Sequence, residues 1–343
     1  MFEHIIIFIL GLAALVKGAD LFVEYSARIA KRLGVSDLVI GLTLTSIGTS
    51  IPELASSLSA SLNMAPELVI GNIVGSNIAN IGLILGVAAL FHAIPTDEKM
   101  HDRDGIIMIA CTALFFGLVL NNSLVRWEGI ALLCLYVFYI FFAVISSVQE
   151  RSYHFKDFMQ FILDFEYIEP FTKGLKKSIP MTQKTHHPEP FERFPARKLA
   201  KEFLVVIASI ALIVFGAKYL IEEALWIAKV INIPENVVGL TMIAMGTSLP
   251  ELVVSITAAK KGKGGIVVGN IIGSNIANIL LIGGLASALS PLHVAEDSVT
   301  YTIPIMLFFS LFLLYCVKTD WRISRAQGLL LVFVYLAFII SAF

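Results

Sequence analysis

Long apolar segments separated by short polar intervals run through almost the whole sequence. A bilayer core of about 30 Å is crossed by about 20 mostly apolar helical residues, and ten segments meet that requirement. Of the 343 residues, 57% are hydrophobic and 15% are charged, against roughly a quarter charged in soluble domains. We therefore predict an all-α membrane protein with ten transmembrane helices. The predicted spans lie near 4–30, 37–62, 67–92, 104–121, 125–147, 199–229, 236–260, 265–290, 299–317 and 326–343.

The distribution of lysine and arginine predicts the orientation of these helices. Placing the N-terminus outside puts most basic residues in cytoplasmic loops, as the positive-inside rule requires. The first residues, Met-Phe-Glu-His, lack the basic region of a cleaved signal peptide. We therefore expect a multi-pass protein of the cell membrane, with a retained first helix and with the N-terminus and C-terminus both outside. The net charge of −1 gives no indication of nucleic-acid binding.

An internal repeat constrains the fold further. Shifting the chain by 198 residues aligns 41–80 with 239–278 without a gap, and 21 of these 40 positions are identical. Five predicted spans separate the copies, so the second copy enters the membrane from the opposite side. We expect two inverted five-helix repeats, 1–147 and 199–343, joined by a cytoplasmic linker at 148–198. Secondary transporters often have this plan, with the substrate site near the midplane where the halves meet. Channels can also contain duplications.

Each repeat contains the motif Gly-Thr-Ser-x-Pro-Glu, at 48–53 and at 246–251. Polar residues of the first copy follow the i, i+3, i+4, i+7 spacing of one helix face. They are Ser46, Thr49, Ser50 and Glu53, and the second copy has Ala244, Thr247, Ser248 and Glu251. Ala244 can offer only its backbone carbonyl. The proline of each motif removes one helical hydrogen bond and clashes with the carbonyl four residues back. Each motif is therefore expected to kink and to free carbonyl oxygens, which need a neighbouring helix, water or a cation.

The two glutamates at membrane depth indicate a cation site. Burying each costs at least about 2.5 kcal/mol by insertion scales, and neither motif contains a lysine or arginine to pair with it. Carboxylate, hydroxyl and carbonyl oxygens are the ligands of hard cations such as Ca2+. The motifs contain no histidine or cysteine, which argues against zinc or copper.

A second motif, Gly-Asn-x-x-Gly-Ser-Asn-Ile-Ala-Asn, follows each glutamate, at 71–80 and at 269–278. In the first copy, Asn72, Ser76 and Asn80 lie on one helix face at i, i+4, i+8, and we interpret this face as the opposite wall of the site. The expected ligands are Ser76, Asn80, Ser274 and Asn278. The alternative is that these side chains only hydrogen-bond neighbouring helices, which Ser and Asn often do in membranes. Asn72, Asn77, Asn270 and Asn275 are weaker ligand candidates.

Together these motifs resemble the two α-repeats of the Na+/Ca2+ exchanger branch, prokaryotic type, of the Ca2+/cation antiporter superfamily. The resemblance implies four cation positions arranged as a diamond at the midplane. Glu53 and Glu251 would be shared between Ca2+ and Na+, and the carbonyls of Thr49 and Thr247 would contact Ca2+. The Na+ positions would be completed by Ser50, Ser76, Ser248 and Ser274 with the carbonyls of Ser46 and Ala244, and Asn80 and Asn278 would lie beside the centre.

The chain departs from some family members at Asn278, where they have an aspartate that is associated with K+ use. The neutral pair Asn80 and Asn278 therefore argues against K+ dependence. Two carboxylates neutralise one Ca2+, so exchange for the family's excess of Na+ would be electrogenic. We expect an antiporter rather than an enzyme, with Na+ and Ca2+ as substrates, the lipid bilayer as its environment, no cofactor and no obligatory protein partner. The alternatives are proton-coupled or other divalent cation antiport and, from another class, a passive cation channel.

The central interval 148–198 is the only long polar stretch. Within it, apolar residues recur at helical spacing, which predicts an amphipathic helix on the cytoplasmic membrane face. They are Phe155, Phe158, Met159, Ile162 and Phe165. An ordinary linker turn packed on the transporter is an equal alternative. The pair His186-His187 is interpreted as solvated linker rather than as a metal site.

Overall fold

The computed structural model describes residues 2–148, 157–159, 196–230 and 247–342, and these parts of the chain are almost entirely helical. The helices are α1 (Phe2–Leu33), α2 (Asp37–Thr49), α3 (Ile51–Leu62), α4 (Pro66–Phe91), α5 (Met100–Asn121), α6 (Arg126–Val148), α7 (Ala196–Val230), α8 (Leu249–Lys260), α9 (Gly264–Leu289), α10 (Ser298–Trp321) and α11 (Arg325–Ala342). Five of these helices contain π-helical turns, among them Asn80–Leu85 in α4 and Asn278–Gly283 in α9.

Several helix ends follow from the local sequence. α1 ends at Leu33, where Gly34 adopts a left-handed φ of +68°. α2 begins after Ser36, whose hydroxyl accepts the backbone N–H of Val39. α3 and α4 have Pro52 and Pro66 in their first turns, where a missing N–H removes no helical hydrogen bond.

The apolar helices identify a membrane protein. Seven of the described helices are long and apolar enough to cross a bilayer, and α2 with α3 forms an eighth span if the bent pair is counted as one. α11 is apolar but shorter. The predicted seventh span, 236–260, is described only over α8. The mostly helical membrane-protein class predicted from the sequence is therefore confirmed.

The helices differ sharply in how much of their surface is buried. In the apolar windows of α4 and α9, 78% and 89% of residues are buried inside the protein, so these two helices form the centre. α1 and α7 are only 28% buried and pack on each other at the periphery. α9 crosses α2 closely, because Gly41 and Gly269 lack side chains at the crossing.

Two short strand pairs join the loops of the first half to those of the second half. β1 (Ile94–Pro95) pairs antiparallel with β4 (Arg322–Ile323), and β2 (Ser123–Leu124) pairs antiparallel with β3 (Leu292–His293). The backbone N–H of Thr96 extends the first pair by donating to the carbonyl of Trp321. These bridges hold the two halves together outside the helical layer.

Most of the predicted cytoplasmic linker lies outside the described residues, including Phe155, Ile162, Phe165 and the His186-His187 pair. Phe158 is described, and its side chain is buried. Its ring lies 5.1 Å, centroid to centroid, from the ring of Phe142 on α6. Within the described linker residues, 157–159, Phe158 therefore packs on the helical bundle.

Candidate ion-binding site

The first repeated motif lies at a bend. The axes of α2 and α3 differ by 47°, and the break falls at Ser50, whose φ of −81° and ψ of 10° leave the helical region. Ser248 has a similar backbone conformation, φ −92° and ψ 7°, at the start of α8. Pro52 follows the first break by two residues, and the bend predicted for the first motif is confirmed. The residues before Thr247 lie outside the described part of the chain, so the kink predicted for the second motif stays a prediction.

The serine of each motif contacts the glutamate of the other motif. Ser50 Oγ donates to Glu251 Oε1 at 3.2 Å, and Ser248 Oγ donates to Glu53 Oε1 at 3.1 Å. The two bonds are equivalent under the 198-residue shift. Both glutamates are buried, with at most 2% of their surface exposed. The bent segments of the two halves therefore form one crossed site.

The start of α9 provides a neighbouring wall. Ser50 Oγ also lies 3.2 Å from Ser274 Oγ, and Thr49 Oγ1 donates to Asn270 Oδ1 at 3.2 Å. On α4, Ser76 Oγ donates to its own neighbour Asn72 Oδ1 at 3.5 Å. The three hydroxyl residues that make these contacts between the two halves are buried; they are Thr49, Ser50 and Ser274.

Four asparagines form a second crossed network in which α4 and α9 meet. Asn80 Nδ2 donates to Asn275 Oδ1 at 3.0 Å, and Asn278 Nδ2 donates to Asn77 Oδ1 at 3.0 Å. These bonds are again equivalent under the 198-residue shift. Both pairs are at most 1% exposed. The side chains of Asn80 and Asn278, which were predicted to face the site, are thus each hydrogen-bonded to an asparagine of the other repeat.

Serines behind the motifs hold each bent helix against the helix that follows it. Asn72 Nδ2 donates to Ser57 Oγ at 2.7 Å and to the backbone carbonyl of Glu53 at 3.1 Å. Asn270 Nδ2 donates to Ser255 Oγ at 3.3 Å, the equivalent contact in the second half. Asn72 and Asn270 therefore hold neighbouring helices together. The sequence had indicated them only as weaker ligand candidates.

Several buried side-chain oxygens at the centre have no hydrogen-bond partner among the described residues. They are Glu53 Oε2, Glu251 Oε2, Asn80 Oδ1, Asn278 Oδ1 and Thr247 Oγ1. Burying a carboxylate without a compensating charge or hydrogen bond is strongly unfavourable. No ion pair within the described residues involves either glutamate. The arrangement can offset its burial cost by binding a cation.

The structure brings most of the predicted ligands to this centre. Direct contacts across the halves join Glu53, Ser248, Glu251, Ser50, Ser274, Asn80 and Asn278 through the bonds given above. Ser46 is buried, but its hydroxyl donates to the carbonyls of Leu42 and Thr43 in its own helix. Ala244 lies outside the described residues. The predicted ligand roles of these side chains stay predictions.

The sequence interpretation did not anticipate that Asn77 and Asn275 hold the amides of the opposite repeat. Their doubled occurrence in the repeat was the available signal, but spacing alone could not say which helix each amide would reach. Met108 and Met306 also contact this amide network, through Asn275 and Asn77 respectively. They are separated by the same 198 residues but lie outside the stretch of matched sequence.

Comparison with known proteins agrees with this architecture. The model of the sodium/calcium exchanger protein family matches residues 3–145 and 201–343. Sodium/calcium exchanger MaX1 of Methanosarcina acetivorans is 45% identical, over 99% of this chain and 98% of that protein. Sodium/potassium/calcium exchanger 5 of Homo sapiens is 24% identical, over 90% of this chain and 76% of that protein.

Solved structures of the sodium-calcium exchanger NCX_Mj have the same fold. One of them, soaked with 10 mM Na+ and zero Ca2+, has a TM-score of 0.79 and 30% sequence identity, and 98% of each chain is covered. A second, soaked with zero Na+ and Ca2+, has a TM-score of 0.78 over 99% of each chain. With the family match covering both halves, the chain belongs to the sodium/calcium exchanger protein family.

Proposed function

We propose that this protein exchanges Na+ for Ca2+ across the membrane by alternating access to one central site. The observation that carries the proposal is a doubled set of buried oxygens that have no hydrogen-bond partner in the described parts of the chain: Oε2 of Glu53 and Glu251 and Oδ1 of Asn80 and Asn278. All four are acceptors, which is the requirement of a cation and not of an anion or an apolar ligand. The family membership and the similarity to sodium/calcium exchangers support the same substrates.

Charge and ligand type favour Ca2+ as the divalent substrate. The two carboxylates neutralise one divalent ion, and the surrounding groups are hydroxyl, amide and carbonyl oxygens, which Ca2+ prefers. When Na+ replaces Ca2+, the same carboxylates balance only two ions. Exchange of one Ca2+ for more than two Na+ would therefore move net charge, and we propose that transport is electrogenic.

We propose that the ligands of the two ions overlap. Glu53 and Glu251 serve both ions, and the carbonyls of Thr49 and Thr247 contact Ca2+. The Na+ ligands are Ser50, Ser76, Ser248 and Ser274 and the carbonyls of Ser46 and Ala244. Asn80 and Asn278 lie beside the central position. The crossed bonds between Ser50 and Glu251 and between Ser248 and Glu53 support this overlap, because each carboxylate already has ligands of both halves around it.

We propose that the chain forms ten transmembrane helices as two inverted five-helix repeats, 1–147 and 199–343, with 148–198 as a cytoplasmic linker. The equivalence of the serine–glutamate, asparagine–asparagine and asparagine–serine contacts under one 198-residue shift supports the repeat. The lysine and arginine distribution supports N- and C-termini outside the cell membrane. Inverted halves around one site can expose that site to either side in turn.

Burial of the site favours a carrier over the passive channel. The side chains of Ser50, Glu53, Ser248 and Glu251 are at most 5% exposed. A conducting pore would leave such ligands open to water along a continuous path. Proton-coupled antiport would use the same carboxylates. It differs from Na+ coupling in that Ca2+ uptake would depend on a proton gradient and not on a Na+ gradient.

The test is Ca2+ flux in inside-out membrane vesicles loaded with Na+. Removing external Na+ should start uptake of radioactive Ca2+, and dissipating the Na+ gradient should stop it, whereas collapsing a proton gradient should not. Glu53→Ala and Glu251→Ala should abolish uptake. Glu67→Ala, an exposed glutamate at the start of α4, is the control and should transport normally. Uptake that persists without a Na+ gradient would favour a channel, and normal flux in both site variants would overturn the site assignment.

A further inference from the structure

Two buried methionines contact the network formed by Asn77, Asn80, Asn275 and Asn278. Met108 on α5 and Met306 on α10 are fully buried. Asn275 Nδ2 donates to Met108 Sδ at 3.7 Å, and Asn77 Nδ2 donates to Met306 Sδ at 3.4 Å. The contacts are equivalent under the 198-residue shift. Leucine or isoleucine would fill such apolar positions equally well but could accept no hydrogen bond.

A thioether can only accept a hydrogen bond, whereas a side-chain amide can present either its NH2 or its carbonyl oxygen. The sulfur of Met108 therefore selects the NH2 group of Asn275. The carbonyl oxygen of Asn275 is left facing Asn80, and it accepts from Asn80 Nδ2 at 3.0 Å. Because its NH2 group is used in this way, the side-chain carbonyl oxygen of Asn80 is left without a hydrogen-bond partner among the described residues.

The equivalent series of contacts links Met306, Asn77 and Asn278. Met306 selects the NH2 group of Asn77, whose oxygen accepts from Asn278 Nδ2 at 3.0 Å. Asn278 Oδ1 is then also without a hydrogen-bond partner among the described residues. Reversing one amide would turn the next one as well, and an NH2 group would replace an oxygen at the centre. An amide NH2 group repels a cation.

We propose that Met108 and Met306 are positioning residues that orient Asn80 and Asn278, through Asn275 and Asn77, so that amide oxygens face the transported cations. The inference rests on the proposed function, since it concerns the ligands of the same site. It assigns a polar task to two side chains that would otherwise count as apolar core.

The two methionines are not equally important. Asn77 Nδ2 has a second acceptor, the backbone carbonyl of Asn275 at 3.3 Å, which fixes the same amide orientation. Among the described residues, Met108 Sδ is the one acceptor for Asn275 Nδ2. Loss of the Met108 sulfur therefore frees the amide of Asn275, whereas loss of the Met306 sulfur leaves the amide of Asn77 held by a carbonyl.

The test compares Ca2+ binding by purified full-length variants in detergent. The apparent Kd is taken from the Ca2+-dependent rise in unfolding temperature, because a ligand that binds only the native state stabilises it by mass action. Met108→Leu conserves volume and should raise the Kd about threefold, the scale of one net hydrogen bond. Met306→Leu should raise it less. Met100→Leu, the same exchange at a buried position of α5, should leave it unchanged.

Rescue distinguishes an acceptor from simple packing. In Met108→Gln, the side-chain carbonyl can accept from Asn275 Nδ2, and this variant should bind Ca2+ more tightly than Met108→Leu. In vesicles, Met108→Leu should keep a maximal uptake rate close to that of the wild type, while its half-saturating Ca2+ concentration rises. A Kd for Met108→Leu equal to that of Met100→Leu, or a weaker Met108→Gln, would overturn the proposal.

The same measurements separate this proposal from the function on which it rests. Failure of the wild-type protein to show Na+-dependent Ca2+ uptake would overturn the antiport function. Normal wild-type uptake with equal Kd values for all the methionine variants would overturn only the role of the methionines.

Discussion

Gly41 and Gly269 face each other at the point where α2 crosses α9, and a Cβ added to Gly41 would lie 2.8 Å from the Cα of Gly269. Such a distance is shorter than van der Waals contact, so the crossing requires glycine. Gly273 makes the next contact along the same line, against Leu42 and Ser46. The separation of the two helices here fixes how close Ser274 can come to Ser50.

Gly269→Ala should therefore both destabilise the protein and weaken ion binding. Its Cβ would overlap the carbonyl oxygen of Leu38 and lie 2.9 Å from the Cα of Gly41, which is backbone that cannot rotate away. We expect a loss of about 1–3 kcal/mol of stability, the usual scale of overpacking. Thermal unfolding of the purified protein measures it. Gly117→Ala, where a Cβ meets nothing within 4 Å, is the control and should unfold like the wild type.

Ser50→Ala should weaken Na+ binding more than Ser248→Ala does. Ser50 contacts both Glu251 and Ser274, whereas Ser248 contacts Glu53 alone in the described parts of the chain. A hydrogen bond to a charged group contributes about 1.5–3 kcal/mol. Losing it in Ser50→Ala should therefore raise the half-saturating Na+ concentration roughly tenfold or more. Na+-dependent Ca2+ release from vesicles measures it. Ser56→Ala, an exposed serine of α3, should behave like the wild type, and equal effects in all three variants would contradict the assignment.

Glu251→Gln should make the ion-free protein more stable while abolishing transport. In the absence of cations, the buried carboxylates of Glu53 and Glu251 are not offset by any ion pair in the described residues, and an amide of similar shape costs less to bury. The melting temperature without Ca2+ should rise by a few degrees, and added Ca2+ should no longer raise it. Differential scanning measurements with and without Ca2+ test this. A lower ion-free melting temperature would show that the carboxylate has a structural partner.

Exchange by the wild-type protein should not depend on K+. Asn278 is neutral, and its NH2 group donates to Asn77, so among the described residues this position adds no third carboxylate that could hold a further cation. Initial rates of Ca2+ uptake should be the same in K+ and in choline. Asn278→Asp adds a negative charge and removes the donor to Asn77, and this variant should transport faster in K+ than in choline. A wild-type requirement for K+ would contradict the prediction.

The sequence predicted the outline of the fold well because each relevant signal is local or periodic. The predicted spans 67–92 and 265–290 differ from α4 and α9 by one residue at each end, since a run of apolar residues and its flanking turn define a span directly. The bend at Ser50 was predictable from Pro52. No local signal predicted the π-helical turns that begin at Asn80 and Asn278.

The pairing within the site could not be predicted in the same way. A repeat shows which residues are equivalent, but it does not show whether Ser50 reaches the glutamate of its own motif or the one in the other half. That choice depends on how the halves pack, and the structure gives the crossed pairing with Glu251. Met108 and Met306 carried no polar signal in the sequence, and their role depends entirely on which amide lies beside them.

The deep burial of α9 also has a consequence for how the protein is made in the membrane. α9 packs on both α2 and α6, which the ribosome completes more than a hundred residues earlier. The surfaces of α2 and α6 that contact α9 therefore stay without this partner until α9 has been synthesised. A chain that stalls before α9 would leave Thr49 of α2 and Asn77 and Asn80 of α4 without the asparagines of α9 that they contact here.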